Sequence, residues 1–136
     1  MNVSGTTEIE DVKEKVVTDN STNGTLTVNA SEQGIIYLTA NQSANRTINI
    51  IGDGSTTLDS YLSIGQSVTV AVLATQGSTA YYFSPVNVDG STVTPKWQGG
   101  EAPTEGNADS IDAYTFTVIK TGSATFTVLA SQTQFA

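Results

Sequence analysis

The stretch Asp112-Ala113-Tyr114-Thr115-Phe116-Thr117-Val118-Ile119-Lys120-Thr121-Gly122-Ser123-Ala124-Thr125-Phe126-Thr127-Val128-Leu129-Ala130 decides the fold class. From Tyr114 to Val118, aromatic and aliphatic side chains alternate with Thr115 and Thr117; from Thr125 to Val128 the device repeats, with Phe126 and Val128 on the inward side. A period of two places one set of side chains on a core and the other on a wet face. Thr and Val both suit such a pleated surface. The Thr121-Gly122 step lets the chain reverse, so strands over 112–120 and 123–130 are predicted to form an antiparallel hairpin.

Working outward, Leu26 and Val28 alternate with Thr25, Thr27 and Asn29, and further strands are expected at 34–40, 46–51, 66–75, 80–83, 86–88 and 93–97. Turn-forming clusters separate them: 41–45, 52–55, 76–78 and the Asp89-Gly90 dipeptide. One short helix or a loop fits 56–64, where Leu58, Tyr61 and Leu62 share a face. Short strands at such regular spacing indicate an all-β domain, read as an antiparallel β-sandwich of jelly-roll type over residues 23–136. Residues 1–22 read as an extended N-terminal arm or edge segment, with seven charges between Glu8 and Asp19. In that arm Ile9, Val12 and Val16 would line one face of a short helix, whereas Lys13, Lys15 and Val17 would line one face of a strand.

Composition narrows the chemistry. The 136 residues include no Cys and no His, with 22 Thr, 14 Ser and a net charge of −8. Disulfides and thiolate metal sites are thereby excluded. Zinc, copper and iron lose their usual ligands, and nucleophilic catalysis loses its usual base. No cofactor site is expected. An acidic chain without a Lys/Arg cluster repels phosphate backbones and anionic lipid, so neither nucleic acid nor membrane is an expected partner. The longest apolar run, 68–74, is interrupted by Thr69 and falls far short of the ~20 residues a membrane helix needs. No basic segment followed by an apolar stretch succeeds Met1, so no signal peptide is read and a soluble domain is expected.

Several groups are candidates for chemistry. Glu101, Glu105, Asn107, Asp109 and Asp112 place oxygen donors along one loop with Gly106, a generic calcium pattern set against a solvated loop. Asp53 with Asp59, or Glu101 with Asp109, could pair as glycosidic carboxylates, but sequence does not fix their separation and no enzyme is expected. Trp97, in Lys96-Trp97-Gln98-Gly99-Gly100, either stacks on a sugar ring, with Tyr81 and Tyr82 adding aromatic surface and Gln98 a further contact, or covers the core or an interface. In the arm, Val12, Lys13, Lys15 and Val16 are the expected partner-binding residues. Six Asn residues (2, 20, 23, 29, 41 and 45) head Asn-x-Ser/Thr triplets, read as polar ladders on wet strand faces in preference to glycosylation sites.

Asn2-Val3-Ser4-Gly5 followed by Val12-Lys13-Glu14-Lys15-Val16, the stretch from Asp89 through Pro95-Lys96-Trp97-Gln98-Gly99-Gly100, and the strands Tyr114–Gly122 and Phe126–Thr133 together resemble a module of virion structural proteins of marine tailed phages, notably those of cyanobacteria and related ocean bacteria. The likeness covers most of the chain, and Pro-Lys-Trp-Gln-Gly-Gly is its most distinctive part. It implies a part of the virion surface, without an assigned catalytic or metal residue. The expectation is a non-enzymatic homotrimer that decorates the capsid by docking its arm and one sandwich edge on other virion proteins. The alternatives are the distal module of a tail or head fibre touching a host surface glycan, and a carbohydrate-binding or adhesive module.

Overall fold

The computed structural model describes residues 4–136. Asn2 and Val3 of the N-terminal motif lie outside the described residues. The chain forms β1 (Val16–Asp19), β2 (Leu26–Asn29), β3 (Ile35–Leu38), β4 (Arg46–Ile51), a one-turn helix α1 (Leu58–Tyr61), β5 (Ser67–Thr75), β6 (Phe83–Val88), β7 (Ser91–Val93), β8 (Lys96–Trp97), β9 (Ile111–Gly122) and β10 (Thr125–Phe135). Two sheets result, one of six strands in the order β1-β3-β5-β9-β10-β8 and one of four in the order β2-β4-β6-β7.

From β1 to β6 the chain alternates strictly between the two sheets. Each strand therefore pairs with one that lies two elements away in sequence, and the two run parallel: Val16 opposite Ile35, Ile35 opposite Ala71, Leu26 opposite Ile48 and Ile48 opposite Val86. The product is an irregular two-sheet coil, closed at its end by the hairpin of β9 and β10. Among the described residues, five of the eight strand pairings are parallel. That corrects the expectation of a wholly antiparallel sandwich, and with it the jelly roll, whose strands belong to the antiparallel architectures.

Turn chemistry explains where the chain stays in one sheet and where it crosses. At Asp89-Gly90 both residues adopt positive φ, 50° and 79°, the geometry of a two-residue type I′ loop, and β6 and β7 pair antiparallel across it. The reversal expected at Thr121-Gly122 falls instead at Ser123-Ala124: both expected turn residues belong to β9, Ala124 takes φ 47° and β10 folds back on β9. The connections between β1 and β6 are longer, and although Asn23-Gly24 and Asp53-Gly54 lie in two of them, neither forms a two-residue loop between paired strands. They turn a corner and deliver the next strand to the facing layer. The strand expected at 80–83 begins only at Phe83, and the one expected at 93–97 divides into β7 and β8 in different sheets, with Pro95 unable to donate to either ladder.

The predicted hairpin forms, with Tyr114, Phe116 and Val118 fully buried and Val128 nearly so. They meet Val28, Ile48 and Ile50 from the four-stranded sheet and Ile36, Leu38, Val70 and Val72 from their own. Phe83 packs edge-on to Tyr114 at 5.0 Å between centroids, and the Tyr114 and Phe116 rings stack at 6.4 Å. Thr57 caps α1 by accepting from Ser60 N, and Leu58 plugs the core beneath it.

Candidate functional site

The inward face of β9 carries a charge at either end, Asp112 and Lys120, with the three buried aromatic and aliphatic side chains between them. The Lys120 Nζ donates to the carbonyls of Asp59 (2.6 Å) and Leu62 (3.0 Å) and pairs with Asp59 Oδ1 at 2.9 Å. All three of its donors are thus used. It fastens the end of α1 to the hairpin. The ammonium and the Ala124 N–H hold the Asp59 carboxyl below its ordinary value.

At the other end, Asp112 is fully buried and accepts from Asn107 Nδ2 (2.6 Å), Asn107 N (2.9 Å) and Gln76 Nε2 (3.2 Å). These donors are neutral. Gln76 also brackets Tyr81, donating to its carbonyl at 2.6 Å and accepting from its N–H at 3.0 Å. Gly106 lies so close to the Tyr81 backbone that a Cβ there would collide with it. The acidic loop is thereby pinned to the fold through Asp112, whose oxygens point inward. Burial, and next the Asp112 charge, push the Tyr114 hydroxyl well above its usual range.

Other charged groups are likewise engaged in holding the chain together. Arg46 is 2% exposed and donates to Gly24 O, Ser21 O, Ser21 Oγ and Gln42 Oε1, with its guanidinium 5.8 Å from the Phe83 ring centre. Burial lowers its pKa, and the Asp19 charge acts against that shift. Asp89, already turning the β6–β7 hairpin, accepts from Leu58 N (2.6 Å) and Asp59 N (2.9 Å) at the start of α1. Asp53 closes its own loop by accepting from Ser55 N and Oγ, which draw its pKa down. Asp53 and Asp59 therefore serve separate local structures, one a turn and the other an ion pair. Among the described residues, no group of three or more acidic side chains is arranged to hold a metal ion.

The expected contact residues fall in three separate places. Trp97 is half-buried on the inner side of β8, edge-on to Phe116 at 6.1 Å, while Gln98 beside it is exposed. Tyr81 belongs to the Asp112 end of β9, about four residues or roughly 13 Å along that strand from Phe116, so it does not share a platform with Trp97. Val12, Lys13 and Lys15 are exposed in the segment before β1, and Val16 opens β1 with 45% of its surface exposed. Of the Asn triplets, Asn45 accepts from Tyr82 N and Asn41 lies against Gly77.

Sequence reading missed the difference between the two outer faces. The four-stranded sheet presents a polar row, Thr27, Asn49, Asn87 and Thr92 side by side, with Thr92 Oγ1 bonded to Asn87 Oδ1. The six-stranded sheet presents Tyr37, Leu73 and Ala113 in one row, Ile35, Ala71 and Thr115 in the next, and the exposed Leu129 and Phe135 beyond. A signal for this was present: 68–74 is apolar at both parities except at Thr69, the mark of a strand with two apolar faces.

Set against protein-family models, curated proteins and solved structures, the chain matches none. Among the described residues no helix is long and apolar enough to cross a membrane.

Proposed function

We propose that this protein is a non-enzymatic structural module of a tailed-phage virion, a decoration protein on the outer capsid surface that assembles as a homotrimer and docks through its N-terminal arm. The observation that carries the reading is where reactive and apolar groups lie. Lys120, Arg46 and Asp112 are consumed in internal hydrogen bonds, whereas apolar side chains are displayed outward on the arm (Ile9, Val12) and on the six-stranded sheet (Leu129, Phe135). Such a distribution suits a part that works by contact. The resemblance of the Pro95-Lys96-Trp97-Gln98-Gly99-Gly100 stretch supplies the virion setting.

Immunogold microscopy on particles that encode the chain tests this. Uniform label over the capsid is expected; label confined to the tail tip replaces the reading with a fibre module, and unlabelled particles reject it. Deleting residues 1–15, which stops short of β1, is expected to release the protein from the shell. Undiminished particle binding by that variant would show that the arm does not dock.

A further inference from the structure

We infer that the outer face of the six-stranded sheet is the surface on which further copies of this chain pack, around a rotation axis parallel to the strands. The inference concerns the chain in solution and does not depend on where the protein acts.

Apolarity is the first ground. Outward positions of β3, β5, β9 and β10 carry Ile35, Tyr37, Leu73, Ile111, Ile119 and Leu129, with Thr, Ser and Ala filling most of the gaps and no carboxylate among them. On a chain of net charge −8, identical copies repel unless they approach through surfaces free of acid. The Asn/Thr face of the other sheet is well hydrated, and removing it from water yields little. Size is the second ground. β5 pairs with β9 over nine residues, about 30 Å of strand, and six strands at ~4.8 Å spacing span roughly 24 Å. Allowing for the shorter outer strands and for side-chain relief, two such faces bury on the order of 1,200 Å², the lower bound of a standard interface.

The rims supply the third ground, and they select the axis. One cross-sheet row runs Lys96, Leu129, Thr117, Thr69. At the opposite rim, Glu14 lies two residues before the paired register of β1 begins at Val16. There Glu14 lines a depression together with Lys15, Glu32, Thr69 and Ala71. Lys96 and Glu14 are both exposed. A rotation axis along the strands preserves height and brings the β8 rim of one copy to the β1 rim of the next, so Lys96 meets Glu14 and Glu32, with Lys15 alongside. An axis across the strands would instead set Lys96 against its own counterpart.

Sedimentation equilibrium of the full chain tests the inference. A mass of three times 14.2 kDa supports both this surface and the homotrimer of the proposed function, a mass of twice that value supports the surface and overturns the homotrimer, and a wild-type monomer overturns the inference. Leu73→Glu, at the centre of the face, is expected to return the protein to a monomer with an unchanged far-UV spectrum, whereas Asn87→Glu on the other sheet leaves assembly intact. Should Leu73→Glu fail to fold, the exposed Lys96→Glu serves in its place, with an expected weakening of about tenfold. Adding Glu14→Lys to Lys96→Glu is expected to restore assembly. If Lys96→Glu has no effect, or Glu14→Lys fails to rescue it, the proposed axis is wrong.

Discussion

The parallel coil from β1 to β6 and the antiparallel hairpin of β9 and β10 are built from similar residues yet held by different means. In the hairpin, Gly122 meets Thr125 across a two-residue loop, and each later pair adds to a neighbour already formed. In the coil, no strand pairs with the next one in sequence; Ile35 must wait for Ala71 and Ile48 for Val86. Loop closure must therefore precede the reward of contact in the coil, whereas the hairpin zips locally. The two are joined by the common core and by Lys120, which reaches from β9 to the carbonyls at the end of α1. The lesson is that this hairpin works as a lid on the open end of the coil.

The strongest way to break that picture is Phe116→Ala. The ring is fully buried, stacks on Tyr114 and receives the Trp97 edge, so its loss is expected to cost about 3–5 kcal/mol in urea unfolding. Trp97 emission reports β8 beside the hairpin, and far-UV dichroism reports both halves. If lid and coil form one cooperative unit, the two transitions shift together; separate midpoints would show that the coil stands without its lid.

Lys120→Met sharpens the comparison by cutting the tie and keeping the apolar stem. Two helix carbonyls lose their donor, which is expected to cost about 1–3 kcal/mol. Faster amide exchange at the end of α1 and in the Ser123-Ala124 turn, with β4 unaffected, is the expected signature. Asp89→Ala probes the coil alone, since the carboxylate it removes caps α1 from the β6–β7 turn and the turn itself needs positive φ. A loss of about 1–2 kcal/mol in urea unfolding is expected, with Asp89→Asn milder because it tolerates the turn geometry.

The same contrast governs what could be read from sequence. The hairpin was legible because the alternation is local, although its turn falls at Ser123-Ala124, just after the Thr121-Gly122 step, and β4 falls on its predicted residues, 46–51. Strand direction in the coil was not legible: the short strand-like segments at 26–28, 35–38 and 46–51 state that strands exist and leave their partners unstated. Trp97 was legible as a strand-end residue resting on the core or an interface. The engagement of Asp112, Gln76 and Asn107 was not, because a buried carboxylate held by neutral donors looks in sequence like one more acid in an acidic loop. Thr115 and Thr117 suggest a wet outer face, Ala71 and Leu73 point the other way, and the register joins Ile35, Tyr37, Leu73 and Ala113 into one apolar patch beside those threonines.

The smallest expected effect is the pH dependence that the coil-to-lid tie imposes. Lys120 and the Ala124 N–H hold the native Asp59 carboxyl below its ordinary value of 3.8. In the unfolded chain that carboxyl has no such partners, so at pH values near and below 3.8 the unfolded state binds the proton first. Stability from this group is therefore present above the unfolded value and is lost as pH falls through the lower native one. Urea midpoints measured from pH 5 to pH 2 are expected to fall with acid, and Asp59→Asn should flatten part of that slope while leaving the Asp53 contribution in place. Lys120→Met should flatten it as well, because without the ammonium the Asp59 carboxyl returns toward its ordinary value. If the two variants together flatten the slope no further than Asp59→Asn alone, the Asp59 share of the acid sensitivity resides in the single contact that joins lid to coil; an additive loss would show that Lys120 acts on a second titrating group as well.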